Sequence, residues 1–109
     1  QTVIFNEYLI DWNEPIHIVE GPFDSIFLPN AIPMLGKVMS DFLFEKLYEN
    51  AKKIIIVLDG DAWIDTEKLY YKLNDSKLFG KIWVVKLPED KDIADLQGNY
   101  DNYKPFQIN

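Results

Sequence analysis

The sequence predicts an α/β domain in which about four strands form a largely parallel sheet flanked by helices. Three observations lead there. The run Ile54-Ile55-Ile56-Val57-Leu58 is continuously apolar and mostly β-branched, the signature of a central strand covered on both faces. Shorter apolar runs alternate with helix-period segments in the order strand, helix, strand, helix, strand, helix, strand, which implies crossover connections and parallel pairing. Turn residues or carboxylates follow the runs, at Glu20-Gly21-Pro22, Gly36-Lys37, Asp59-Gly60-Asp61 and Pro88-Glu89-Asp90.

Taken in order, residues 2–12 mix apolar and polar positions without a period, and Pro15 closes this lead-in, which spans 1–15. Ile16 to Glu20 reads as the first strand. A short helix is expected over Phe23 to Leu28, because Pro22 suits a first turn and Phe23, Ile26 and Phe27 share a face. Pro29-Asn30 stops it, and Ala31 to Leu35 is a brief second strand. Ser40 or Asp41 is placed to cap a helix that runs to about Asn50, with Leu43, Phe44, Leu47, Tyr48 and Ala51 as its apolar stripe. After the Ile54 strand, Asp65 or Thr66 is expected to cap a third helix with Leu69, Tyr70 and Leu73 inward, ended by Asn74-Asp75-Ser76. Ile82 to Leu87 is the last strand, Pro88 to Asp92 a loop, and Ile93 to Leu96 one helical turn. The segment 99–109 is polar and aromatic and carries no readable signal.

Composition narrows the chemistry. The 109 residues are 48% hydrophobic and 15% aromatic, enough for one well-packed domain. The chain starts without an initiating Met in the middle of an apolar phrase, Thr2-Val3-Ile4-Phe5, and is expected to be a domain of a larger protein. There is no Cys, which removes a disulfide framework, a thiolate nucleophile and a cysteine zinc site. No apolar run approaches the ~20 residues of a membrane span and no secretory signal is present, so a cytoplasmic protein is expected. All eleven basic residues are Lys, so phosphate contacts must come from Lys, backbone N–H groups or metal rather than from bidentate guanidinium groups. The formal net charge of -7 opposes long-range attraction of nucleic acid. It leaves nucleic acid open as a substrate reached through bound divalent ions.

Asp59 and Asp61 stand one residue apart where the central strand ends. Ligand crevices of parallel sheets lie at the carboxyl ends of their strands, and two carboxylates there repel each other unless a cation joins them. Glu20 ends the first strand, and Asp90, Asp92 and Asp95 follow the last. The strand ends converge, so these acids are candidates for one cluster. An oxygen-only donor set suits Mg²⁺ or Mn²⁺, whereas zinc would want His or Cys and only His17 is available. Each residue also has a plain structural reading. Glu20-Gly21 and Asp59-Gly60-Asp61 are acceptable turns, Asp24 is a local cap of the short helix with a metal role second, and Lys37 is a solvated lysine that a turn at the sheet edge would aim at a phosphate. His17, between Ile16 and Ile18, is a strand side chain of the opposite face and not a general base. The aromatic stripe Phe42, Phe44 and Tyr48 reads as core. Concurrence of turns at equivalent strand ends favours the metal reading.

Three phrases in order, Val19-Glu20-Gly21-Pro22-Phe23-Asp24 with Leu35-Gly36, then Ile56-Val57-Leu58-Asp59-Gly60-Asp61, then Leu87-Pro88-Glu89-Asp90-Lys91-Asp92, resemble the Toprim domain. Primases of the bacterial type, type IA and II topoisomerases, and some nucleases and recombination proteins share that domain. The resemblance covers about residues 3–98, and the last phrase and the lead-in Ile4-Phe5-Asn6 look like the primase branch. It implies a Toprim-like fold, a catalytic domain over 16–98, a general acid or base at Glu20, and metal-binding aspartates at Asp59 and Asp61. Asp24 and Asp92 match further acidic positions, so the implied metal set is Glu20, Asp59, Asp61, Asp92 and Asp24, and the implied catalytic set Glu20, Asp59 and Asp61. Two departures stand out. Trp63-Ile64 replaces a small residue and Gly, and Ala94 stands where a second acid is expected, with Asp95 displaced by one.

The resemblance implies a DNA primase of bacterial or phage type that makes RNA primers on single-stranded DNA. Its substrates are nucleoside triphosphates, its cofactor is Mg²⁺ or Mn²⁺ in two or more ions, and a replicative helicase is a partner through further domains. Lys37 is the candidate substrate-binding lysine. Alternatives are a Toprim nuclease or topoisomerase fragment, and a non-catalytic Toprim-like module that binds metal or a partner, for which Trp63-Ile64 is the best argument.

Overall fold

A computed structural model describes residues 9–36 and 38–108. Four strands, β1 (Ile16–Val19), β2 (Ala31–Pro33), β3 (Ile54–Ile56) and β4 (Ile82–Val84), form one sheet in the order β2-β1-β3-β4. Every pairing is parallel, with Ile18 opposite Ile32 and Ile56, and Ile56 opposite Val84. Three helices connect them: α1 (Pro22–Ser25), α2 (Asp41–Asn50) and α3 (Trp63–Leu73). This is an α/β fold that fits the Toprim-like expectation. Among the described residues no helix is long and apolar enough to cross a membrane.

Side-chain alternation divides the core in two. Ile16, Ile18, Ile54, Ile56, Ile82 and Val84 point to one face, where Leu43 and Leu47 of α2 and Leu69, Tyr70 and Leu73 of α3 cover them. Val19, Ala31, Ile55, Val57 and Val85 point to the other, packed with Leu28, Leu87 and Ile93. A sheet buried on both faces explains the unbroken apolar run of β3. Ser40 caps α2, its Oγ accepting from the Leu43 N–H at 3.2 Å, and the expected stripe of that helix faces the core, with Phe44 and Tyr48 partly buried.

The structure corrects three expectations. α1 is shorter than expected, and its apolar side chains point outward: Phe23 and Ile26 are 66% and 74% exposed, while Asp24 and Ser25 are buried. A helix of one turn presents a single inner side, and here that side looks at a polar site. β2 ends at Pro33, because Leu35 enters the left-handed region (φ 60°) and Gly36 follows at φ 155°. α3 starts at Trp63, directly after a 3-10 turn Gly60–Ala62, rather than at a cap on Asp65 or Thr66. Thr66 is already inside the helix, its hydroxyl donating to the Ala62 carbonyl at 3.0 Å. The C-terminal segment, which carried no signal in the sequence, docks on the β4 edge: Phe106 makes an antiparallel bridge with Val84, and the Gln107 side chain donates to the carbonyls of Gly80 and Ile82.

Candidate metal centre

The strand order creates the site. From β1 the chain crosses to the β2 edge, and from β3 it crosses to the β4 edge, so the connections diverge between the two central strands. That divergence is the switch point at which parallel sheets open a crevice beyond their carboxyl ends. Glu20 follows β1 and Asp59 lies three residues beyond β3. They meet there, with the Asp59 N–H donating to Glu20 Oε1 at 3.4 Å.

Two further carboxylates arrive from the flanks. Asp24 is delivered by the inward side of α1 and also accepts from the Gly21 N–H at 3.2 Å, so it caps its own turn while facing the crevice. Asp92 comes from the loop after β4. Asp24, Asp59 and Asp92 each offer one oxygen, and the three oxygens lie within 4.8 Å of one another. This triad can hold a metal ion. Asp61 is exposed and lines a hollow of about 160 Å³ beside the triad, together with Asp59, Glu89, Asp90, Lys91, Asp92 and Asp95. Glu20 borders the cluster from the β1 side.

The loop that brings Asp92 is fixed against the Asp59-Gly60-Asp61 turn. The Gly60 N–H donates to the Lys91 carbonyl at 2.8 Å, and Lys91 N–H to the Pro88 carbonyl at 3.0 Å. A Cβ on Gly60 would stand 1.7 Å from the Pro88 oxygen, so only glycine permits this approach. Asp92 and Asp95 form a reciprocal pair: the Asp92 N–H donates to Asp95 Oδ2 at 2.9 Å, and the Asp95 N–H to Asp92 Oδ1 at 2.7 Å. The reciprocal pair ties the start of the turns over 93–98 to Asp92, and the spacing Asp-x-x-Asp was its available signal in the sequence.

Electrostatics follow from the crowding. Burial first, and then the charges of Glu20, Asp24, Asp92 and Asp61, push the Asp59 carboxyl from 3.8 up to about 7. Asp24 is also raised, mainly by burial and further by Asp92 and Asp95, against the stabilising N–H of Gly21. A cation among these oxygens relieves both effects. The donors are carboxylates alone, the chemistry of hard divalent ions.

Other sequence candidates fall elsewhere. His17 is buried on the opposite face, with Nδ1 2.8 Å from the Pro29 carbonyl and Nε2 2.8 Å from the Tyr100 hydroxyl. Burial lowers its pKa, and both nitrogens are engaged, so it is structural. Trp63 packs at 6.0 Å against Phe106, with the Lys86 ammonium 4.8 Å over its ring. Lys37 lies outside the described residues.

Fold and site together define a parallel α/β domain with a carboxylate cluster at its switch point. No protein-family model matches the sequence, and no curated protein matches it. Among solved structures it is similar to the crystal structure of the Aquifex aeolicus primase comprising zinc-binding and RNA polymerase domains. The TM-score is 0.63 at 21% identity, over 84% of this chain and 26% of that one. The chain thus spans about a quarter of that primase fragment, and the likeness is one of fold.

Proposed function

We propose that residues 16–98 are the Toprim catalytic domain of a DNA primase, which joins ribonucleotides into primers on single-stranded DNA with Mg²⁺ or Mn²⁺ as cofactor. The observation that carries the reading is the meeting of Asp24, Asp59 and Asp92 within 4.8 Å, with Glu20 bonded to the Asp59 backbone. The fold likeness to a primase fragment supports it.

Asp24, Asp59 and Asp92 would hold one ion, and Asp61 with the acidic hollow beside it would serve a second. Bound there, divalent ions supply charge neutralisation at the triphosphate and a lowered pKa for the attacking hydroxyl. The protein's own part is positional. Gly60 and the Pro88–Lys91 loop fix the separation of Asp59 from Asp92. Glu20, held at the Asp59 N–H, is the candidate to accept the proton of the primer 3′-hydroxyl. Cleavage of the α–β phosphate bond releases pyrophosphate as the new phosphodiester forms. Trp63 does not support a non-catalytic reading, since its ring packs on Phe106 and under Lys86.

The test is primer synthesis by the full-length protein carrying Asp59→Asn with Asp61→Asn. Loss of synthesis with an unchanged circular dichroism spectrum is expected. Undiminished synthesis refutes the assignment, and DNA cleavage or supercoil relaxation by the parent protein points to the nuclease or topoisomerase branch instead.

A further inference from the structure

A second concavity adjoins the acidic centre. It is a groove of about 190 Å³ between the segment after β2 and one flank of α3, with the buried Met34, Met39 and Leu69 as its apolar floor and Val38 at its lip. Lys68 and Lys72, one helical turn apart, form its far rim, and the Lys72 ammonium sits 5.0 Å over the Phe44 ring. Beside it lies a small hollow lined by Glu20, Met34, Gly36, Leu58 and Asp65. Met34 and Asp65 line both spaces, so the groove neighbours the hollow that Glu20 borders.

The turn that opens the groove is strained. Leu35 adopts φ 60° and is 44% exposed, a conformation uncommon for a branched side chain and concentrated at functional sites. The groove also reverses the local charge. The hollow beyond Asp59 is lined by six acidic residues against the single Lys91, whereas the groove sets two lysines against the single carboxylate of Asp65, in a chain of net charge -7.

We infer that this groove seats one nucleotide of the single-stranded DNA template. Its base would lie on Met34, Met39 and Leu69, an exocyclic amino group of the base would donate to Asp65, and Lys68 and Lys72 would meet the flanking phosphates. Single strands are held by cationic grooves that give the bases a surface to lie on, most often aromatic; here that surface is aliphatic and thioether, and a carboxylate accepts from a base amino group. Lysines four residues apart have Cβ atoms ~5–6 Å from each other on a helix, a spacing that fits successive phosphates along a backbone. The acidic hollow on the other side of Glu20 is left for the metal-bound triphosphate. The inference rests on the primase reading.

Met34 and Met39 are the only two methionines of the chain, so a spectrum of the 109-residue chain labelled with ¹³C at the methionine methyls has two signals, both in the groove. Addition of a short mixed-sequence deoxyoligonucleotide with Mg²⁺ is expected to shift both signals, and ATP at equal concentration to shift neither. Lys68→Ala with Lys72→Ala is expected to weaken the oligonucleotide at least ~10-fold, and to flatten the slope of log affinity against log salt by about 1.4, at ~0.7 per single-strand phosphate. Signals that stay in place at millimolar oligonucleotide, that move with ATP alone, or that titrate identically in the double variant overturn the inference. The readout involves no catalysis, so its failure and that of the primase reading are separable. If Asp59→Asn with Asp61→Asn silences priming while the methyls ignore the strand, only the groove assignment falls. If the methyls respond and the parent protein does not prime, the primase reading falls, and the groove remains a single-strand site.

Discussion

Replacing Asp59 by Asn should stabilise the metal-free domain, by an amount that grows as pH rises from about 4 to about 7. Asp59 titrates at about 7 in the fold, against 3.8 ordinarily, because burial and the charges of Glu20, Asp24, Asp92 and Asp61 oppose its ionisation. Between those values the folded state binds the proton and the unfolded state does not, so stability falls as pH rises from about 4 to about 7. At about 1.4 kcal/mol per pH unit the full displacement corresponds to about 4 kcal/mol. Asp59 is only half-buried, and solvent screening leaves about 1–2 kcal/mol of it. Asn is nearly the shape of the protonated acid and carries no charge. Urea unfolding in EDTA at pH 4 and pH 8 is the assay. The variant should come close to the wild-type chain at pH 4 and exceed it by about 1–2 kcal/mol at pH 8, with about a third of that difference already present at pH 5. His17 bends both curves alike: its lowered pKa means that stability is lost as pH falls below about 6.5, and subtraction of the curves removes that contribution. A variant no more stable than wild type at pH 8 refutes the electrostatic account of the cluster.

Three further perturbations test the packing around the centre. Gly60→Ala puts a methyl group 1.7 Å from the Pro88 oxygen. The Asp92 loop must then move, at a cost of about 1–3 kcal/mol in unfolding experiments, together with weaker Mn²⁺ binding; an unchanged midpoint contradicts the contact. Tyr100→Phe strips His17 Nε2 of its 2.8 Å partner, and a loss of about 1–3 kcal/mol is expected in thermal unfolding. Phe23→Ser with Ile26→Ser should change stability by no more than about 0.5 kcal/mol per site, since both side chains face outward; a loss above about 2 kcal/mol would show that α1 packs the other way.

Much of the architecture was legible because burial on both sides of a sheet writes itself as an uninterrupted apolar run, as in Ile54 to Leu58. The helical period of Leu43, Leu47, Leu69 and Leu73 was equally plain. α1 deceived for a physical reason: in a one-turn helix the hydrophobic period is too short to define an interior, and the demand of the crevice for Asp24 outweighs the exposure of Phe23 and Ile26. The entry into α3 was hidden because a 3-10 turn, not a side-chain cap, leads from Asp61 into Trp63. The segment 99–108 carries no pattern, since its docking depends on isolated long-range pairs such as His17 with Tyr100 and Trp63 with Phe106. As for the site, strand ends pointed to Glu20, Asp59 and Asp92. Position along the chain could not say that the oxygens of Asp24, rather than those of Asp61, would lie with Asp59 and Asp92.

Titration of Mn²⁺ into the 109-residue chain, with free ion followed by electron paramagnetic resonance, tests the centre most directly. The wild-type chain and an exposed control, Glu45→Gln, should bind alike. Asp24→Asn and Asp92→Asn should each weaken binding at least ~10-fold, and wild-type affinity should fall as pH drops below about 7, where Asp59 takes up its proton. Equal affinity in all four chains, or affinity independent of pH between 5 and 8, would contradict a metal centre built on Asp24, Asp59 and Asp92.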